Sequence, residues 1–459
     1  MLHSEVIGAV VLACNGDRTA AYQDPITYEA GPTLTTPLGE VSSYQLYTQH
    51  FQSHEPTFNL QVQSYQLGAQ LRDIYLDHDS PSRIFGVDAD LVDFSQIHVI
   101  IKAGAEGPAA FSSGMGLLQG LFPPSTDHNI LLSNGTKVVA PLGGYQYVPV
   151  ETVDPSNDHS LESWIDCLAF EKHVKEVQES SEFMQATRAS QQFFNVMQDF
   201  MVGRAASLEN AYNLWDFVST QRTHNMTYAY RLPPTLVEQA RGWANFRENL
   251  IFSDPEPTGI GNSRTALSPI IGFLQDIAYN DEPLKLMIIE ATYQPFISMF
   301  HMTGAVDALH ALAGIPDFGS ALVIELRQTQ DADTRHALRF RFKNGTVKDF
   351  RTLEIFGHRD DIPLTEFIFR LETSIINTRD QWAKSCGVRS LLPELQGAAG
   401  RPDVVVKAGC GVALVCILTL ALWLLYKAKF GSAKHLTYLE LRDEEAAADL
   451  FPINIFDSP

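Results

Sequence analysis

The sequence predicts an α/β protein whose core is a mainly parallel sheet. Apolar, strand-like runs lie at residues 6–14, 98–103, 286–290 and 321–328. Helical stretches separate these runs, and such alternation is typical of α/β proteins. Residues 160–250 are especially rich in helical patterns. We therefore expect one sheet, with a mainly helical region at residues 160–250 between the strands at 98–103 and 286–290.

The smaller elements follow from local spacing. Apolar side chains recur at helical intervals in residues 161–177 and 182–200, which predicts two amphipathic helices. Residues 338–342 and 346–350 are strand-like and flank an Asn-Gly turn at Asn344. Such a turn between two strands predicts a β-hairpin.

Composition excludes some classes of function. The chain has 459 residues, enough for one large or two ordinary domains, and is 45% hydrophobic. Its net charge of -21 argues against a nucleic-acid partner, because phosphate contacts need clustered cations. There is no P-loop, no His-Glu-x-x-His motif and no close Cys/His cluster. We therefore predict no bound metal and no cofactor. The sequence does not identify a ligand or a protein partner.

One apolar segment predicts a membrane anchor. Residues 408–426 contain no charge and approach the ~20 residues that span a bilayer as a helix. Trp423 and Tyr426 lie near one end, as interfacial aromatics do. We expect a juxtamembrane linker at 387–407, a spanning helix and a polar tail at 427–459, in the cytoplasm because it is rich in lysine near the membrane. A buried core helix is the alternative.

The location of the domain stays open between two alternatives. Residues 1–14 lack the basic start of a signal peptide and coincide with the first predicted strand. Either the natural N-terminus is longer, or the protein is tail-anchored with a cytosolic domain. Three sequons, at Asn134, Asn225 and Asn344, are glycosylation candidates and favour a luminal or extracellular domain.

The five cysteines are too few for a disulfide framework. Cys14 ends the first strand, and Cys410 and Cys416 fall in the apolar segment. Cys167 and Cys386 remain as candidates for one disulfide. Two free buried thiols are an equal alternative, because connectivity cannot be read from one sequence.

Several short motifs of this sequence resemble those of a known protein family. Residues 14–18 read Cys-Asn-Gly-Asp-Arg directly after the first strand. This resembles the acid-phosphatase branch of the histidine phosphatase superfamily, where the strand ends in Arg-His-Gly-x-Arg. Further similar elements follow in order at residues 120–124, 208–216, 223–227 and 319–326.

The resemblance implies a phosphoglycerate mutase-like fold over residues 1–386, with helices on both faces of the sheet and a helical cap at about 160–250. It also singles out residues 42–62 as an insertion. There the run 41–46 is nearly repeated at 62–67. The insertion is either a tolerated surface loop or a gene-model artefact such as a retained intron.

The catalytic positions of the family are degenerate in this chain. Phosphomonoester hydrolysis there needs a histidine nucleophile, cations around the phosphate and an acid for the leaving group. Asn15 occupies the nucleophile position and Cys14 the position of the adjacent cation. Arg18 matches the second arginine and is a candidate for anion binding. The arginine of the second phosphate-binding segment is missing, and Lys102 is the only cation there.

The His-Asp pair is missing as well. Glu290 and Ala291 take its positions after the strand at 286–289. An alternative alignment puts His301 at the position of the family's histidine, but it still leaves the position of the aspartate without an acid. We prefer Glu290, because His301 falls inside the following predicted helix, and we expect the Glu290 carboxylate to repel phosphate near the pocket.

The degenerate catalytic positions lead to an expectation about the function of the protein. We predict no catalytic residue and a non-catalytic pseudophosphatase with a binding or scaffold role. The alternatives are a weak or altered phosphomonoester hydrolase, similar to an acid phosphatase or phytase, and a degraded gene copy. Fold likeness alone does not decide among them, because function belongs to the site.

Overall fold

The computed structural model describes residues 4–31, 63–104, 106–201, 204–253, 263–280, 282–329, 335–347 and 349–388. The chain divides into two compact units, Met1–Val388 and Arg389–Pro459. The predicted insertion at 42–62, the span at 408–426 and the tail lie outside the described residues. Within these ranges no helix combines the length and apolar character that crossing a bilayer requires.

An eight-stranded mixed sheet forms the centre of the first unit. Its order is β10-β8-β7-β1-β6-β2-β5, with β9 beside β8, and β3 and β4 form a separate hairpin. The strands are β1 Ser4–Cys14, β2 Ile97–Lys102, β3 Asn129–Leu131, β4 Lys137–Val139, β5 Glu151–Val153, β6 Leu286–Ala291, β7 Ala321–Thr329, β8 His336–Lys343, β9 Arg351–Thr352 and β10 Asp361–Pro363.

Four neighbouring strands of the sheet are parallel, as predicted. β6 lies between β1 and β2 and is parallel to both, and β5 extends β2 in parallel. β7 instead runs antiparallel to β1, and β8 runs antiparallel to β7. Only a few residues join β7 to β8, and a connection that short can link only antiparallel strands.

Helices cover both faces of the sheet. Along β1, Val10 and Leu12 pack on one face, while Ala9 and Val11 pack on the other. The helices are α1 Gln63–Tyr75, α2 Gly107–Leu121, α3 Pro141–Gly144, α4 Leu168–Glu179, α5 Ser181–Met197, α6 Ala211–His224, α7 Met226–Arg231, α8 Pro234–Phe252, α9 Ser263–Tyr279, α10 Gln294–Met302, α11 Ala305–Ala308, α12 Leu364–Leu371 and α13 Arg379–Ser385. Because each strand of the centre is covered on both sides, its pattern is a continuous apolar run.

Two of the predicted elements differ from the structure. The helix expected at 161–177 begins only at Leu168, because Asp166 has a φ of 56° and Cys167 is extended. Neither conformation can continue an α-helix. The second strand of the predicted hairpin is Arg351–Thr352 rather than 346–350. In the loop between the two strands, the Asn344 side chain donates a 3.2 Å hydrogen bond to Asp317 Oδ2.

The cap region has its own core and a covalent tie. Helices α4 to α8 lie between β5 and β6 in sequence. A disulfide joins Cys167, just before α4, to Cys386, just after α13. Beside it, the indole Nε1 of Trp382 donates a 2.8 Å hydrogen bond to the Ser163 carbonyl. Of the two alternatives for Cys167 and Cys386, the structure contains the disulfide and not two free thiols.

Candidate active site

A cavity opens where the carboxyl ends of the central strands meet. It has a volume of about 560 Å³ and is lined by the turn after β1, by the segment after β6 and by helices α6 and α8. Ligands of open α/β sheets bind in this position. The cavity is therefore the candidate active site, and Cys14, Asn15 and Arg18 lie on its wall.

The turn after β1 offers no nucleophile. Asn15 is buried, and its carboxamide nitrogen donates a 2.9 Å hydrogen bond to the Gly16 carbonyl. A carboxamide nitrogen is delocalised and does not attack phosphorus. Burial raises the pKa of the Cys14 thiol far above its usual range, and the neighbouring carboxylates Glu290 and Glu106 raise it further. The thiol is therefore protonated at neutral pH and not nucleophilic.

The backbone N–H groups of the same turn are not available to an anion. The Asn15 N–H donates to the Ala291 carbonyl at 3.3 Å. The Gly16 N–H donates to Ser113 Oγ at 3.0 Å. The Asp17 N–H donates to Gln63 Oε1 at 2.8 Å. Backbone donors form anion sites only when they converge on open space, and here each has an acceptor within the protein.

Arg18 is held by two carboxylates from other parts of the chain. Its Nη1 lies 3.0 Å from both carboxylate oxygens of Asp216, and its Nη2 lies 2.7 Å from Glu106 Oε1. Nη2 also donates to Tyr212 Oη at 3.0 Å. Burial by itself lowers the pKa of Arg18, but Asp216 and Glu106 raise it well above its usual range. Arg18 is thus charged and already neutralised.

Arg18 and the two carboxylates of Asp216 and Glu106 form the Arg18 clamp. The clamp continues into a buried series of side chains with alternating charge. Lys102, at the end of β2, places its Nζ 3.7 Å from Glu106 Oε2 and 3.0 Å from Glu162 Oε1. The order is Glu162, Lys102, Glu106, Arg18 and Asp216, with side chains at most 5% exposed. Both cations of this series therefore have carboxylate partners within the protein.

Glu290 does not line the cavity. It is buried, and its Oε2 has no hydrogen-bond partner. Burial raises the pKa of Glu290 from 4.5 to about 8. The expectation that its carboxylate repels phosphate stays a prediction, and the raised pKa favours the protonated, uncharged form. Ala291 follows it in the buried core.

Paired groups also surround the mouth of the cavity. Arg241 contacts Asp317 at 2.5 Å and lies over the Trp215 ring at 5.8 Å. His224 Nε2 lies 2.6 Å from Asp17 Oδ2. These two pairs are more exposed than the contacts of Arg18, so each contributes less.

The structure brings some of the expected site residues together and separates others. Glu106 and Asp216 are the partners of Arg18 that the sequence did not reveal. Asp216 lies in a recognised motif, and Glu106 stands in the second phosphate-binding segment, but nothing local shows that they bind Arg18. The three sequon asparagines are exposed, and none lines the cavity. His301 lies within α10, as expected. Among the described residues no cluster of three potential metal ligands occurs.

The mixed sheet with helices on both faces has the fold of the histidine acid phosphatases. Sequence comparison finds lysosomal acid phosphatases. That of Pongo abelii is 21% identical over 313 residues, 68% of each chain, and that of Bos taurus is 22% identical over 317 residues, 68% of this chain and 69% of the relative. The chain is thus related to the histidine acid phosphatase superfamily at low identity, which confirms the resemblance.

The structural comparison supports the same fold. Hafnia alvei phytase in complex with tartrate superposes with a TM-score of 0.52 and 12% identity. The match covers 84% of this chain and 98% of the phytase. No protein-family model matches the chain. The likeness to the phytase concerns the fold and does not extend to its activity.

Proposed function

We propose that this protein is a pseudophosphatase, a non-catalytic relative of the acid phosphatases that acts by binding or as a scaffold. The observation that carries the proposal is the clamp on Arg18. The one arginine that matches a phosphate-binding position has both Nη atoms engaged by Asp216 and Glu106. The neighbouring nucleophile position holds Asn15. The site thus lacks both a reacting group and a free cation at its floor.

Electrostatics oppose the binding of a phosphate dianion at this floor. To reach Arg18, phosphate would have to displace a carboxylate that is buried and paired. Breaking such a buried pair costs about 3–5 kcal/mol. Phosphate would then lie beside the displaced carboxylate, and like charges at short range in a protein interior repel strongly. Uncharged ligands avoid this cost at the floor of the cavity.

We expect the full-length protein to show no turnover of small phosphomonoesters at acid or neutral pH. An active acid phosphatase assayed in parallel serves as the positive control. The variant Cys14→Arg, Asn15→His, Glu290→His, Ala291→Asp should recover little activity, because Arg18 stays clamped and the second segment still lacks its arginine. Because the catalytic groups of an enzyme act as a unit, partial restoration gives little rate.

Two outcomes would count against this proposal. Turnover that a substitution within residues 14–18 abolishes would show that the site is catalytic after all. Turnover that disappears in His224→Asn would indicate an altered hydrolase that uses the His224–Asp17 pair. Either result would establish the hydrolase alternative.

We also propose a single-pass anchor at residues 408–426, with the folded domain luminal or extracellular and a cytoplasmic tail. The uncharged run between Lys407 and Lys427 supports the anchor. The exposed sequons and the lysosomal names of the relatives support a luminal or membrane-associated location. The disulfide agrees with an oxidising compartment.

Deleting residues 408–459 should release the protein from membranes, because the deletion removes the uncharged run. Fractionation after carbonate washing measures this, and deletion of residues 427–459 alone is the matched control that should stay bound. Glycosidase should increase the gel mobility of the full-length native protein. If mobility does not change and protease cleaves the domain in intact vesicles, the protein is instead tail-anchored and cytosolic.

A further inference from the structure

A second cavity lies apart from the candidate active site, beside the edge strand β5. It has a volume of about 440 Å³ and is lined by β2, β5, the loop at residues 157–160, the N-terminal part of α9 and the segment at 376–382. Its lining shares no residue with that of the candidate active site. Pockets that take small ligands have volumes of roughly 300–1,000 Å³, so this cavity is large enough for one.

His159 is buried at this cavity with an imidazole whose nitrogens are unused. It is 8% exposed, and its ring stacks on that of Trp382 with 3.3 Å between the centroids. Its Nδ1 is enclosed, and neither ring nitrogen bonds to a residue in the described part of the chain. Burial lowers the pKa of His159, which favours the neutral ring. An enclosed N–H without an acceptor is costly, so we place the ring proton on Nε2, which leaves this nitrogen as a donor for a ligand.

Two opposite charges at the mouth of this cavity do not pair with each other. Arg379 and Asp158 are exposed residues of its lining. Both lie close enough to act on His159, because Arg379 lowers the pKa of the imidazole further and Asp158 raises it. Among the described residues Arg379 has no carboxylate partner and Asp158 has no cationic one. Asp158 Oδ1 instead accepts a 2.8 Å hydrogen bond from the Ser160 N–H, which orients the carboxylate.

The deeper wall of the cavity is apolar. Ile100, Val153 and Ile376 line it, are each at most 6% exposed and belong to the hydrophobic cores. The other carboxylate of the lining, Glu151, already has a partner, since its Oε2 lies 2.9 Å from His98 Nε2. The cavity thus offers a ligand one cation, one anion, a neutral donor and an apolar wall.

We propose that this cavity binds a small zwitterion of the α-amino acid type with an apolar side chain. The ligand carboxylate accepts hydrogen bonds from the Arg379 guanidinium and from His159 Nε2, and the ligand ammonium group faces Asp158. Charge-assisted hydrogen bonds of this kind are the stronger ones. The ligand side chain covers Ile100 and Ile376, which removes apolar surface from water. None of these residues lines the candidate active site, so the inference does not depend on the proposed pseudophosphatase function.

Ligands with a single charge fit this cavity less well. A carboxylate without an ammonium group meets Asp158 as a like charge, and an amine without a carboxylate meets Arg379 in the same way. An uncharged ligand leaves both charges without a partner. A zwitterion satisfies both charges at once, because its own two charges are separated as those of the cavity are.

Calorimetric titration of the full-length protein in a mild detergent tests the ligand class, with L-leucine as the probe. We expect saturable binding with a Kd of about 1 mM, as for a well-matched ligand of this size. Isocaproate is leucine without the ammonium group, and isoamylamine is leucine without the carboxylate. Each should bind at least about tenfold more weakly, because one charge-assisted interaction is lost. The absence of saturable leucine binding, or binding of either analogue as tight as that of leucine, overturns the proposal.

Substitutions test which charge holds which end of the ligand. Arg379→Gln should weaken leucine at least about tenfold without weakening isoamylamine, which has no carboxylate. Asp158→Asn keeps the acceptor for the Ser160 N–H and should weaken leucine to a similar degree without weakening isocaproate. Arg370→Gln on α12 is the matched control, because Arg370 pairs with Glu366 and lies outside the cavity lining. Thermal unfolding checks that each variant is folded. Leucine affinity that is unchanged in Arg379→Gln, or that falls equally in all three variants, contradicts the proposed site.

Discussion

Replacing Arg18 with methionine is expected to lower the free energy of unfolding by about 3–5 kcal/mol at neutral pH. Methionine replaces the aliphatic part of the arginine side chain but leaves the buried carboxylates of Asp216 and Glu106 without their shared cation. Two uncompensated carboxylates at one buried site also repel each other. Chemical denaturation monitored by tryptophan fluorescence measures the loss, and the denaturation midpoint should fall.

Arg241→Met is the matched control for this experiment. Arg241 lines the same cavity and pairs with Asp317, but both side chains are partly exposed. Exposed ion pairs contribute about 0–1 kcal/mol, so this variant should lose far less stability. Equal losses in the two variants would show that burial of the Arg18 clamp is not what stabilises it.

Glu290→Gln is expected to raise the free energy of unfolding at pH 7 by about 3 kcal/mol. The unfolded chain releases the Glu290 proton near pH 4.5, whereas the folded protein holds it to about pH 8. The unfolded state therefore binds fewer protons in this window, and stability falls as pH rises. Each pKa unit corresponds to about 1.4 kcal/mol, so the 2.5 units between pH 4.5 and 7 give the expected gain.

The pH dependence separates this effect from a change in packing. Wild type and Glu290→Gln should be equally stable below about pH 4, diverge up to about pH 8 and stay parallel above it. Glu162→Gln is the control, because Glu162 is equally buried but pairs with Lys102. That variant should be destabilised instead. A constant difference between wild type and Glu290→Gln across the whole range would refute a raised pKa.

The catalytic turn and the strand before it were predictable because their signals are local. A run of apolar residues followed by Gly16 and Arg18 predicts a buried strand and a turn, whatever the rest of the chain does. The same holds for β6, where the positions of Glu290 and Ala291 follow from the end of the strand. The absence of a nucleophile could be read from Asn15 alone, because a carboxamide cannot take that role in any environment.

The helix boundaries near the disulfide were less predictable. Helical spacing of apolar side chains extends back to Leu161, but the left-handed Asp166 breaks the helix before Leu168. Apolar periodicity records which side chains become buried, not which backbone angles the chain adopts. The pairing of Cys167 with Cys386, 219 positions apart, likewise depends on the fold that brings them together.

The sequence by itself determined the fold class and the order of the central strands' motifs, because each is encoded in residues that are neighbours along the chain. Only the tertiary structure decided what became of Arg18 and Glu290. Arg18 meets Asp216, 198 residues away, across the cavity. Glu290 is buried and does not line the cavity, and this burial raises its pKa. Charge and pKa depend on distances in space, and these arise only when the chain has folded.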